Sequence, residues 1–471
     1  MMSEARFFKT SYDRSACKIG VIHIGYGAFH RAHQAVYIDD YMQTTGDLRW
    51  GIAAVNLRPS ESESFEEAAK ARDGYLLKTI APDGTLEFRT VRSHLAHVDA
   101  AVDIEAALGL FAQPDVSIAS LTVTESGYAF DDHWDLNLTD PAVAADLADG
   151  SHHTIYGFLA AGLKRRRETI GAPLTIMCCD NIRKNGQVLR KALMSFLHAS
   201  GQQDLCAWVE KFATFPSSMV DRITPRSTPD LRAEVSGLFP MLSATAIHAE
   251  DFTQWVLEDH FANDVPDLTQ AGVQVVQDVE PYEEAKIRIL NGGHTGLTYL
   301  GALAGHQTFD QAMHDPALRA HFDAWETSEV LVGLGQTSPF DTSAYLAKVS
   351  SRFENSGIAD QLERICMDGY SKMAIYIRPT IRALLERGIT PAHGYNCIAS
   401  WIVYARKSRN PTFPVPYHEP LWDKLEPMLD VGQESRIAND AQLWGDIPQR
   451  FASFVPDLVS AIKEMEAQWQ D

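Results

Sequence analysis

Long apolar runs, paired cysteines and excess positive charge are what this 471-residue sequence lacks. No stretch approaches the ~20 apolar residues that a bilayer-spanning helix needs, which excludes a helical membrane protein. The polar start, MMSEARFFKTSYDRSACK, has no apolar signal-peptide core, so the expected location is cytoplasmic. The six cysteines (Cys17, Cys178, Cys179, Cys206, Cys366 and Cys397) contain no C-x-x-C pair. That excludes zinc-ribbon and thioredoxin-like readings and implies no disulfide framework. Cys178 and Cys179 are adjacent in a strand-like run and read as small buried hydrophobes. The formal net charge of −21 excludes nucleic acid and anionic membrane surfaces as partners. It gives an anionic substrate no long-range attraction, leaving a local basic pocket as the only means. Internal repeats, low-complexity tracts and a flexible linker are also missing.

What is present is an ordinary globular composition, 45% hydrophobic and 22% charged, in a chain long enough for two domains. The first half alternates. KIGVIHIGYG (18–27), WGIAAVNL (50–57), VSIASLTVTE (116–125) and PLTIMCCDN (173–181) read as buried strands. AFHRAHQAVYIDDYM (28–42) and YGFLAAGLKRRRETIG (156–171) carry helical spacing, and YLLKTIAPDGTLEFRTV (75–91) reads as a hairpin about Pro82-Asp83-Gly84. Such alternation predicts a doubly wound parallel sheet, an α/β Rossmann-type domain. From about residue 282 helical patterns dominate, as in 341–353, 379–388 and 395–408, with a proline-rich loop at 410–420. The expected division is residues 1–281 and a mostly α-helical 282–471, packed tightly with a cleft between them.

In HIGYGAFHRAHQ (23–34), Gly25 and Gly27 close the first strand just before a helix. Glycines there let the backbone turn sharply and approach a pyrophosphate. The amides of Ala28 and Phe29, at the helix start, add N–H groups and partial positive charge. The third glycine of the usual G-x-G-x-x-G is replaced by His30, so the bland alternative is a plain strand-to-helix turn. At the end of the second strand, Asn56 can bond a ribose hydroxyl and Arg58 can grip the 2′-phosphate of NADP or stand solvated; no acid occurs until Glu61. NAD is the expected cofactor, with NADP the alternative. His30 and His33 lie three apart but have no third ligand nearby, so they read as helix-surface or loop-packing residues rather than a metal pair.

One further stretch, AKIRILNGGHTG (285–296), sets Lys286, Asn291 and His294 in an apolar run. Oxidising a secondary alcohol needs a base for the hydroxyl proton and donors for the oxygen that gains charge. A lysine serves as that base only where its positive charge is disfavoured. Asn291 and His294 share a helical face. Lys286 and His294 are ~12 Å apart along a regular helix, so a long side chain or a local break must close the gap. Asn291-Gly292-Gly293 is a poor helix interior and predicts an interruption or a close approach there. Taken alone, the three residues read better as a solvated Lys–Arg stripe with a capping asparagine.

The run does not stand alone. GYGAFHRAHQAVY (25–37), SLTVTESGY (120–128), CDNIRKNG (179–186), FPSSMVDRITP (215–225), QWVLEDHF (254–261), KIRILNGGH (286–294) and RICMDGYSK (364–372) occur in order. With these motifs the chain resembles the polyol-specific long-chain dehydrogenases, which include mannitol 2-dehydrogenase, D-arabinitol 4-dehydrogenase and the hexuronate reductases. The resemblance covers nearly the whole chain. It implies a Rossmann-type domain followed by a helical domain, a metal-independent reaction, and a polyol or ketose substrate in the cleft. It also implies roles: Lys286 as general base; Asn291 and Asn181 as donors to the substrate oxygen; His294 as an orienting residue; Glu125 as the group passing the lysine's proton to water; and Asp221, Arg364 and Lys372 as pocket residues. Mannitol–fructose or D-arabinitol–xylulose chemistry is expected. A hexuronate reductase, with Arg364 and Lys372 on a carboxylate, is the alternative. A catalytically silent dinucleotide sensor is the second. A monomer is expected, with a weak oligomer the alternative.

Overall fold

The computed structural model describes residues 6–469 apart from 124, 132–133, 226, 240–241, 243–244 and 336–337. The chain divides into two compact units, Met1–Ala81 with Thr85–Glu280, and Pro82–Gly84 with Pro281–Asp471.

Among the described residues the first unit holds three sheets. Its strands are β1 (Arg6–Lys9), β2 (Ile19–Ile24), β3 (Gly51–Asn56), β4 (Tyr75–Ile80), β5 (Leu86–Val91), β6 (His94–Asp99), β7 (Ile118–Leu121), β8 (Leu174–Cys178), β9 (Ala213–Thr214), β10 (Ser218–Asp221), β11 (Ile247–Glu250), β12 (Gln254–Glu258) and β13 (Gln274–Val276). The largest sheet runs β6-β3-β2-β7-β8-β9, every neighbour parallel. This is the doubly wound order, whose switch point falls between β2 and β7. The strands are near-continuous apolar runs because helices cover both faces; β3 is buried at all six positions. The helix Ile155–Thr169 covers one face and joins the core of Ile22, Val55, Leu121 and Ile176. The predicted hairpin forms as β4 and β5, and belongs to a separate sheet ordered β1-β5-β4-β11. A third, three-stranded sheet is ordered β10-β12-β13.

The helix expected over 28–42 is two helices, Ala28–Ala32 and Gln34–Thr45, broken at His33 (φ −122°, ψ −91°). The break follows from the ring of His33, which is wholly buried and bonds the Gln254 carbonyl through Nε2 at 2.8 Å. Cys178 and Cys179 are buried completely, and all six cysteines are unbridged.

The second unit is helical. The helix Ala392–Lys407 is apolar on nearly all sides and runs through its core, with Trp401 fully buried. The helices Gly292–Leu303 and Phe454–Gln468 pack against it. Three long helices here share one irregularity. Each contains a widened turn with bonding from residue i to i+5: Lys286–Asn291, Trp325–Val330 and Met373–Ile377. No helix among the described residues is long and apolar enough to cross a membrane.

Candidate active site

Each unit carries its own set of candidate groups. In the first unit they gather at the carboxyl ends of strands. After β2 the chain turns at Gly25 (φ 97°), whose amide donates to the Val55 carbonyl at 2.9 Å. A Cβ at Gly25 would collide with the Thr122 carbonyl, so only glycine fits this turn. A Cβ at Gly27 would meet nothing within 4 Å, which leaves its backbone open to a close ligand. Ala28 and Phe29 then begin the helix, where the first amides have no intrahelical partner. The turn, the open glycine and the helix start fit a dinucleotide's pyrophosphate.

His30, in the place of the third glycine, fills the gap between helix and strand. Its ring lies 3.3 Å from that of His23 on β2, centroid to centroid and nearly parallel. Its Nε2 is 2.9 Å from Nε2 of His94. His23 is held by Ser120 at 2.8 Å and Thr122 at 3.0 Å. Burial pulls the imidazole of His30 down to about 3 and that of His97 down to about 4, and lowers His23 and His94 strongly. The result is an uncharged histidine floor beneath the turn. Sequence spacing pointed to helix-surface or loop-packing roles for His30 and His33; both are buried, and each bonds a different partner.

At the end of β3, Asn56 is buried and occupied by its own loop. Its Nδ2 donates to the Arg58 carbonyl and to Asp99 Oδ1, and its Oδ1 accepts from the Arg58 amide. Arg58 is exposed and paired with Glu61 at 2.9 Å. Asp99, at the end of the neighbouring strand β6, is an acid at this edge that sequence reading missed. Only pairing of distant strands brings it beside Asn56.

Glu125 opens a tight turn, Glu125–Tyr128, beyond β7; its side chain lies outside the described residues. Asn181 is exposed just beyond β8. Between them stands Asp180, also missed, whose Oδ2 accepts from the Val123 amide at 2.9 Å and the Tyr128 hydroxyl at 2.6 Å. Asn185 bonds the Asp180 carbonyl and both backbone groups of Ser218. Lys184, just before it, is held at φ 51°. Asp221 is the buried last residue of β10.

In the second unit, Lys286 begins the first widened turn and Asn291 ends it. The Gly292 amide donates to the Ile287 carbonyl, five residues back. In a regular helix residues five apart diverge by about 140°. The i-to-i+5 bonding widens the turn and narrows that angle, which brings residues 286 and 291 toward one side. Lys286 is 7% exposed. His294 lies between two phenylalanines, edge-on to Phe309 at 4.3 Å and stacked on Phe353 at 4.9 Å. Burial pulls its imidazole down to about 3 against the opposing pull of Asp360, so it is neutral at any ordinary pH. Asp360, Arg364, Lys372 and Arg352 all act electrostatically on that ring, which places Arg364 and Lys372 in its surroundings. Arg364 grips Asp360 through two nitrogens, Nε at 2.8 Å and Nη2. Lys372 donates to the Ile365 carbonyl at 2.8 Å and directly precedes the third widened turn. Phe309 and Phe353 were not legible as site residues, since each lies far from His294 in sequence, and Asp360 read as an ordinary solvated acid. Among the described residues no three His, Cys, Asp or Glu side chains are grouped to hold a metal ion.

Two family models match. The mannitol dehydrogenase Rossmann domain matches residues 19–270, and the mannitol dehydrogenase C-terminal domain matches residues 278–466. The chain is 36% identical over 453 residues to the D-arabinitol 4-dehydrogenase of Ralstonia nicotianae, covering 95% of this chain and 96% of that one. It is 36% identical over 403 residues to the D-mannonate oxidoreductase of Escherichia coli, covering 84% and 82%. The mannitol 2-dehydrogenase of Pseudomonas fluorescens, in a ternary complex with NAD and D-mannitol, superposes with a TM-score of 0.87 at 32% identity, covering 99% of this chain and 94% of that one. The Rossmann-type sheet and the helical unit that follows it are those of this group of oxidoreductases. This chain belongs to the mannitol dehydrogenase family.

Proposed function

We propose that this protein catalyses the NAD-dependent oxidation of a secondary alcohol in an acyclic polyol, of the mannitol or D-arabinitol type, to the ketose, and the reverse reduction, with Lys286 as general base. The observation that carries the proposal is a buried lysine at one end of a widened helical turn whose other end is Asn291.

NAD bound at the Gly25–Phe29 turn supplies the hydride acceptor. Lys286 takes the hydroxyl proton through Nζ, a step that requires the uncharged amine. Asn291 donates an amide N–H to the substrate oxygen as it gains negative charge, and Asn181 has the same role. His294, neutral and held between two aromatic rings, orients a hydroxyl. Glu125 passes the lysine's proton on to water. Asp221, Arg364 and Lys372 bond the remaining hydroxyls, and no metal takes part. Asp360 already balances the charge of Arg364, which leaves that guanidinium with N–H donors for hydroxyls rather than an unmet charge for a carboxylate. This supports a neutral polyol over a uronate.

A second reading, reduction of a hexuronate, draws on Lys372 and on the likeness to the D-mannonate oxidoreductase of Escherichia coli. Steady-state rates with mannitol, D-arabinitol and fructuronate, each with NAD(H) and NADP(H), separate the two. The expected result is turnover of a polyol with NAD, unchanged by a chelator. Turnover confined to the uronate favours the second reading. Chelator inactivation reversed by zinc overturns the metal-free mechanism. Nicotinamide binding without turnover of any of these substrates restores the sensor reading.

A further inference from the structure

The first widened turn of the helical unit carries Lys286 and Asn291, and Lys372 directly precedes the third. The second, Trp325–Val330, holds no residue with a role so far, yet it contains Glu326 and Glu329. The first turn packs on both of the others. Two adjacent glycines permit this. A Cβ at Gly292 would come within 3.3 Å of the Tyr376 carbonyl in the third turn. A Cβ at Gly293 would collide with Oε1 of Glu326 in the second and lie 3.0 Å from the ring of Phe322.

Glu326 is 0% exposed, and among the described residues neither carboxyl oxygen has a hydrogen-bond partner. Burial pushes its carboxyl well above the usual acid range. The Cys397 thiol, close to both Glu326 and Glu329, is driven up by burial and sits 3.6 Å from Nε2 of His321. Burial pulls the His321 imidazole down to about 4. Glu329 is pushed up to about 7 by burial, although it accepts the His393 and Gly394 amides at 2.7 and 2.9 Å. Burial thus favours the uncharged carboxylic acid at Glu326. An apolar side chain of like volume would fill the same space without the cost of an unpaired polar group. A sequence that keeps such a group in its core departs from packing logic, and departures of this kind gather at functional sites. The contact of Glu326 points to the function, because Gly293 lies between Asn291 and His294.

We propose that Glu326 is a positioning residue for the alcohol oxidation: its carboxyl group fills the space beside Gly293 and holds the Asn291–His294 segment, so that the Asn291 amide and the His294 imidazole keep their orientation. The proposal rests on the dehydrogenase reading above and deepens it. In Glu326→Ala the segment relaxes toward the vacated space. A shift of about 1 Å in a donor costs on the order of 100-fold in turnover. The cofactor turn belongs to the other unit and is untouched.

The test compares Glu326→Gln, Glu326→Ala, Gly293→Ala and the Gly293→Ala/Glu326→Ala pair in the full-length enzyme. Readouts are kcat and KM for the polyol, KM for NAD, and the melting temperature. Glu326→Gln, isosteric and uncharged, is expected to keep kcat within about 3-fold of the parent. Glu326→Ala is expected to lose roughly 100-fold in kcat, with KM for NAD unchanged and no fall in melting temperature. Gly293→Ala is expected to lose a similar factor, and the pair to regain at least about 10-fold of it, since the new methyl enters the emptied space. A parent-like kcat in Glu326→Ala overturns the proposal. So does a Glu326→Gln variant as impaired as Glu326→Ala, or a double variant no better than Gly293→Ala. If Glu326→Ala yields no folded protein, Gly293→Ala decides alone, and parent-like turnover there overturns it. Asn291→Ala is the control. A parent enzyme that turns over no polyol defeats the dehydrogenase reading. An inactive Asn291→Ala beside normal Glu326→Ala and Gly293→Ala defeats only the role of Glu326.

Discussion

In the N-terminal unit every candidate group stands at or just beyond the end of a strand: Gly25 after β2, Asn56 on β3, Glu125 after β7, Asn181 after β8 and Asp221 on β10. In the C-terminal unit Lys286, Asn291 and Lys372 stand inside continuous helices, at the ends of widened turns. A parallel sheet lays its carboxyl ends side by side, so topology alone gathers the loops after β2, β3, β7 and β8; Asp221 comes from the separate sheet of β10. A helix interior gathers nothing unaided, because successive residues fan out around its axis. There the chain needs a change of helical pitch, a pair of glycines and a buried acid to bring chosen side chains together.

Gly25→Ala presses on this contrast hardest. Its positive φ and the carbonyl against its α-carbon leave no room for a side chain, so NAD binding is expected to vanish in a fluorescence titration. Gly27→Ala, in open space, is expected to fold normally and melt like the parent. Equal damage from the two would mean that the turn is not the rigid element described here.

Lys286→Ala comes next. Turnover is expected to drop at least ~100-fold, the usual scale for loss of a general base, while NAD affinity holds. Stopped-flow and equilibrium titration measure the two separately. Near-normal turnover at neutral pH would remove the helical unit's claim to the chemistry.

The smallest expected effect is on stability in acid. His30 and His97 stay neutral in the folded protein down to about 3 and about 4. In the unfolded chain an imidazole takes up its proton near ~6.5. Between those limits the unfolded state binds more protons, so stability is complete above ~6.5 and declines as the pH falls. The melting temperature is expected to fall from pH 6.5 to 4.5, and less steeply in His97→Gln. An unchanged slope in that variant would mean that the histidine floor is not what acid attacks.

Periodicity made β2, β3, β7 and β8 legible, because strands buried on both faces are written as unbroken apolar runs. The short strands β9 to β13 were not legible, since runs of two to five residues carry too little pattern. The widened turn at 286–291 was half visible: Asn291-Gly292-Gly293 signalled a disturbed helix, but its type is set by the groups packed against it. Lys286, Asn291 and His294 could be singled out from side-chain chemistry, and their order among the other motifs gave them weight. Glu326 offered no signal, for in FDAWETSEV it reads as one more solvated acid.

Asp180 binds at one carboxylate oxygen both the backbone entering the Glu125 turn and the phenol that closes it, while its own main chain leads into Asn181. Two peptides that leave the sheet on separate strands are thereby bolted together. Neither can be re-registered without dragging the other, so directed evolution of this scaffold toward new alcohols has little freedom on that rim.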